Sequence, residues 1–99
     1  METIERVRHY EKILDDALEA VGNLSDALDA YTKIRGQLKE LKEYYFEKEW
    51  MEDRRAEEEG RVPQDMKRGV LSEDAVYDLV TDERELMERM KELLLTYEK

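Results

Sequence analysis

Leu24, Ala27, Tyr31, Ile34, Leu38, Leu41 and Tyr45 follow one another at alternating steps of three and four. That spacing returns an apolar side chain to one side of a helix twice per heptad, and neither a strand nor a turn-rich fold uses it. The stretch therefore predicts a long helix with a packing seam. Composition agrees: Ala, Glu, Lys, Leu and Arg fill 53 of the 99 positions, while there are only four glycines and one proline. Too few turn residues remain for a sandwich or barrel, and the balance is that of long helices. At 99 residues the chain has room for one helical domain, read here as 1-99.

Ahead of the seam, Ile4, Val7, Leu14, Leu18 and Val21, flanked by Tyr10, Ile13 and Ala17, keep the three-and-four spacing and predict helix one over about 2-21. Gly22 reads as its stop, and Asn23 or Ser25 as the cap of the next helix, with a tight antiparallel turn between them. Helix two is then expected over about 24-58, roughly 52 Å at 1.5 Å per residue. Gly36 lies inside it, and because the seam stays in register on both sides, it predicts a bend and not a break. After Tyr45 the seam positions become Lys48 and Glu52, while Phe46 and Trp50 carry the bulk on another face. The buried surface rotates there. Residues 60-71 mix Gly60, Pro63 and Gly69 with the apolar anchors Val62, Met66, Val70 and Leu71, and predict a packed loop. Ser72, Glu73 and Asp74 mark a helix start, by hydroxyl capping and by carboxylates at the positive end of the dipole. Val76, Leu79, Leu86, Met90, Leu93 and Tyr97 continue one helix over about 73-97, interrupted at the seam only by Glu83. The expected fold is all-α: a three-helix antiparallel bundle with a long central helix and a packed loop before the last helix.

Leu, Ile, Val and Phe number 22, just above the roughly 20% below which a highly charged chain stays disordered. A core so thin makes a homo-oligomer the expectation. The net charge of -10 argues against nucleic acid and anionic membrane, both of which are bound through clustered Lys and Arg. No cysteine occurs, so disulfides, thiolate metal sites and thiol nucleophiles are excluded. The opening Met1-Glu2-Thr3-Ile4-Glu5 has no hydrophobic run, and nowhere do about 18 apolar residues follow one another. A cytoplasmic protein with no cofactor is expected.

Chemistry-bearing patterns are sparse. The single histidine, His9, has Glu5 one turn before it, too little for a bundle metal centre, and no metal is expected. Ser25 and Ser72 read as caps and belong to no Gly-x-Ser-x-Gly elbow, so the chain reads as non-enzymatic. Two features stand out. Residues 61-72 are the one basic stretch, at +2, with Arg61, Lys67 and Arg68 between Glu57-Glu58-Glu59 and Glu73-Asp74. They neutralise two helix ends, or else Lys67, Arg68 and the amides near Gly69 and Ser72 hold a small anion or phosphorylated ligand at the start of helix three. Tyr44, Tyr45, Phe46 and Trp50 gather four of the eight aromatics within seven residues. They clamp the loop through Val62, Pro63 and Met66, or else form an exposed patch for a second subunit or another protein.

Tyr44-Tyr45, Trp50 with Asp53, then Gly60, Pro63, Asp65 and the run from Lys67 to Leu79 resemble a group of short bacterial helical proteins known only as a domain of unknown function. The resemblance spans nearly the whole chain and implies a bacterial, cytoplasmic, all-helical protein with no assigned activity. The candidate site is the junction of Tyr44, Tyr45, Trp50, Asp53, Asp65, Lys67, Arg68 and Ser72. Asp53 or Asp65 would pair with Lys67 or Arg68 to fix the loop, over a floor of tyrosines and Trp50. The expected function is a self-associating, non-enzymatic protein-interaction module, with possible protein partners; the alternative is an anion-binding module at 60-72.

Overall fold

The computed structural model describes residues 2-97 and is all-helical, with no strand among the described residues. Helix α1 runs Thr3–Tyr45 and α2 runs Lys48–Glu58; a single 3-10 turn, Gly69–Leu71, precedes α3, Ala75–Tyr97. The chain divides into two compact units, Met1–Leu38 and Lys39–Lys99.

The first unit corrects the expected hairpin. Helix α1 continues through Gly22, so there is no turn at 22-24, and residues 2-21 and 24-45 cannot pack antiparallel because they belong to one helix. Neither Gly22 nor Gly36 takes a positive φ, and a Cβ on either would meet nothing within 4 Å. A helical glycine costs only about 1 kcal/mol relative to alanine. Ending and restarting a helix leaves four amides and four carbonyls without intrahelical partners, a larger cost. The apolar pattern favours continuity too: stepping back from Leu24, the seam meets Ala20, Ala17, Ile13 and Tyr10 without losing register. From Tyr10 to Tyr45 it holds for five heptads. At the start of the helix the Glu2 carboxylate accepts the Ile4 amide at 3.0 Å. Leu38 is the buried hydrophobic residue of this unit.

A second correction falls where α1 ends. The expected helix to residue 58 is interrupted at Phe46 and Glu47, where the Glu47 amide turns back to the Tyr44 carbonyl at 3.2 Å. Glu47 is extended, with φ -104° and ψ 168°, and α2 starts afresh at Lys48. The rotation of the apolar surface is thus made by a break. It brings the buried Trp50 ring edge-to-face against Tyr45, 4.9 Å between centroids.

Helix α2 ends in a Schellman closure. The Arg61 amide reaches the Ala56 carbonyl at 2.9 Å and the Gly60 amide reaches Glu57 at 3.0 Å. Gly60 sits at φ 77°, a conformation that side chains with a Cβ resist. Ser72 then starts the last helix. Its hydroxyl donates to the Gly69 carbonyl at 2.9 Å and accepts the Ala75 amide at 3.2 Å. Glu73 and Asp74 form a turn before α3, which starts two residues later than expected and runs unbroken past Thr81. Trp50, Leu71 and Val76 are the buried hydrophobic residues of the second unit. Glu83, the charge within the α3 seam, is 14% exposed and pairs with Lys42 of the last α1 turns. On the exposed helix faces Lys12 pairs with Asp16 at 3.0 Å and Lys48 with Glu52 at 3.6 Å.

Candidate functional site

Three side chains from the aromatic stretch and α2 grip the main chain ahead of α3. The Trp50 indole N–H donates to the Val70 carbonyl at 2.9 Å. Arg54 Nη1 donates to the Leu71 carbonyl at 3.3 Å, and the Tyr45 hydroxyl donates to the Glu73 carbonyl at 3.1 Å. Arg54 also pairs with the Glu73 carboxylate at 3.0 Å and lies 5.6 Å from the Trp50 ring centroid, within cation–π range. The 3-10 turn and the turn ahead of α3 are thereby clasped to α2 and the end of α1.

Each residue expected at this junction has a definite place. Trp50 is buried and Tyr44 and Tyr45 are half-buried. Phe46 is not part of a loop clamp: it is 71% exposed, with its ring edge-to-face on Tyr45. The expected ion pair forms with another acid. Arg68 meets Glu57 at 3.6 Å, while Asp53 accepts the Tyr44 hydroxyl at 2.7 Å. Asp65 is exposed and pairs with neither Lys67 nor Arg68. The reason is geometric: one helical turn separates Asp53 from Glu57, and the Schellman closure returns the chain past the later residue. Ser72 commits its hydroxyl to the cap and its amide to the Gly69 carbonyl, so neither is available to an anion at the start of α3.

Tyr44 keeps its proton unusually firmly. Desolvation by burial, then the hydrogen bond to Asp53 and the nearby charges of Asp53 and Glu49, push its pKa up to about 12. Both a carboxylate acceptor and a drier setting favour the neutral phenol. A concavity of about 300 Å³ is lined by Tyr44 and Asp53, by the apolar Ala56, Val62, Met66, Val70 and Leu71, and by Lys67 and Arg68. A wider hollow of about 680 Å³ lies by Glu40, Glu43, Glu47, Glu49 and Glu52. Among the described residues no group of three or more His, Cys, Asp or Glu is arranged to hold a metal ion. Nor is any helix among them long and apolar enough to cross a membrane.

Arg54 and the backbone carbonyls of Val70, Leu71 and Glu73 were not singled out by the sequence patterns, and Glu57 stood only within the acidic run beside the basic stretch. Arg54 carried one usable signal: it stands four residues after Trp50, where a cation on the same helix face can cover the indole.

The fold and junction define a small, acidic, all-helical protein whose side chains at the junction mostly serve one another. The chain belongs to the family described as a domain of unknown function (DUF4298), which matches residues 7-93. The family expected from the Tyr-Tyr, Trp and Lys-Arg-Gly-Val-Leu-Ser-Glu-Asp pattern is thus the one found. No curated protein and no solved structure matches the chain.

Proposed function

We propose that this chain is a non-enzymatic interaction module of the bacterial cytoplasm that associates with itself through α1, completing between copies the helical bundle that its sequence implies. The observation that carries the proposal is the apolar face of the first unit. Tyr10, Ile13, Leu14, Val21, Leu24, Leu28 and Ile34 are 47–66% exposed along one side of a single helix. Isolated helices draw most of their stability from burying such a face, and a heptad repeat sustained over five repeats matches another helix best. The acids at the junction also support a non-enzymatic reading, since Asp53, Glu57 and Glu73 are engaged by Tyr44, Arg68 and Arg54. A protein partner could use the same face. Light scattering on size-fractionated protein tests the proposal: a mass of at least two chains at micromolar concentration is expected. A 12 kDa monomer at every concentration would refute it.

A second reading rests on the 300 Å³ concavity, whose volume is at the lower end of small-molecule sites. Lys67 lines it together with its apolar residues and forms no ion pair among the described residues, so a small organic anion with an apolar body fits better than a phosphate held by α3. Octanoate titrated calorimetrically should release heat that Lys67→Gln abolishes. Equal heats from the two proteins would dismiss this reading.

A further inference from the structure

We infer that the partner of α1 is a second copy of the same helix lying antiparallel, in the register that sets residue 17 against residue 34. The inference rests on the self-association reading above and adds to it an orientation and a register. Within the seam, Ala17, Ala20 and Ala27 are small, and Leu24, Tyr31 and Ile34 are large. Two packed helices keep a nearly constant separation when each layer joins a small residue to a large one. In an antiparallel pair the two kinds of seam position face each other, and the chosen register gives Ala17 to Ile34, Ala20 to Tyr31 and Ala27 to Leu24. The two-fold axis repeats each layer, so the six layers over residues 17-34 are complementary; farther out the same register sets Ile13 against Leu38 and Tyr10 against Leu41, large on large, and the contact is confined to 17-34.

The competing arrangements are poorer. A parallel pair sets each seam residue against itself, leaving alanine on alanine at 17, 20 and 27 and tyrosine on tyrosine at 31. An antiparallel pair displaced by one heptad sets Ala17 against Ala27, which leaves two of its layers underfilled; displaced the other way it sets Ala17 against Leu41 and Ala20 against Leu38, side chains already half-buried and buried within the chain. Opposed dipoles also favour the antiparallel choice.

Charge allows this contact although the whole chain carries -10. Flanking the seam on one side are Leu14, Val21, Leu28 and Arg35, and on the other Asp16, Asn23, Ala30 and Gln37. In the chosen register Asp16 faces Gln37, Asn23 faces Ala30, and Leu14 lies beside the stem of Arg35. No two like charges meet along it. Apolar area is on offer as well: Leu14, Val21, Leu24, Leu28 and Ile34 are each about half to two-thirds exposed on both helices.

Because the chain has no cysteine, thiols can be introduced singly. The proposal predicts that Ala17→Cys with Ile34→Cys forms a covalent dimer on mild oxidation at least about tenfold faster than Ala17→Cys alone, whose two copies would lie roughly 25 Å apart along the helix. Ala17→Cys with Ala27→Cys, diagnostic of the displaced register, should be equally slow. Rapid crosslinking of Ala17→Cys alone would establish a parallel pair and overturn the inference, and so would a fast 17/27 variant. A dimeric mass with slow crosslinking in all three variants overturns the register while leaving self-association standing. A monomeric mass for the unmodified chain, as when α3 of the same molecule covers the seam, removes both.

Discussion

Replacing Arg54 with Met tests how the junction is held. Methionine retains the apolar stem against Trp50 and deletes every polar contact of the guanidinium. Those contacts are unequal. Glu73 and Glu58 have side chains 74% and 64% exposed, so their ion pairs with Arg54 are worth about 0–1 kcal/mol each at most. The bond to the Leu71 carbonyl has a charged donor, a kind worth about 1.5–3 kcal/mol, and its 3.3 Å length places it at the low end. Indole contact at 5.6 Å contributes about 0.5–1 kcal/mol. A loss of about 2 kcal/mol follows, most of it from the carbonyl and the ring. Trp50 is the only tryptophan in the chain, so its emission during urea unfolding reports this junction alone. With a urea dependence of about 1–3 kcal/mol per molar, the midpoint should fall by roughly 1 M. Arg54→Lys should recover little of it, because an ammonium cannot serve a carbonyl, a carboxylate and a ring face together. A midpoint within about 0.2 M of the parent for Arg54→Met, or full recovery by lysine, would refute the assignment of the clasp to guanidinium geometry.

Lys42 and Glu83 form a largely buried pair, so Lys42→Met or Glu83→Leu alone should cost about 2–4 kcal/mol, while the double substitution should be close to neutral; a double-mutant cycle by chemical denaturation without coupling would contradict this. Gly60→Ala should cost about 1–2 kcal/mol by forcing a Cβ into a left-handed conformation, read as a lower melting temperature. Tyr44 holds its proton up to about 12 when folded against an ordinary 10, so the stability it adds is complete below pH 10 and is lost as pH rises towards 12. In an ultraviolet phenolate titration Tyr44→Phe should remove an ionisation near pH 12; an unchanged step there would contradict the Asp53 contact.

Much of the second unit was legible in the sequence, because its signals are local. Ser72 caps α3 where a hydroxyl precedes two acids, and Trp50 turns inward where the seam residues become charged. Glu83 looked like an interruption of the α3 pattern and proves to be half of a cross-helix pair. The first unit was misread at Gly22 because a glycine marks a stop only where its backbone must adopt a positive φ. An unbroken seam on both sides was the stronger signal, and it outweighs one residue's propensity. The junction's partners were only partly visible. Glu57 and Asp53 are both acids on α2, and choosing between them required the path of the chain after Gly60, a non-local quantity. Arg54 was hidden because its targets are main-chain oxygens, which every residue carries.

Those targets have a consequence for how the family's chains can vary. Carbonyls of residues 70, 71 and 73 present the same oxygen whatever side chain stands there. The clasp is therefore indifferent to much of the text it holds. Substitution along 64-69 can remodel the outer wall of the concavity, altering its shape and charge, while Tyr45, Trp50 and Arg54 go on anchoring the strap by its backbone.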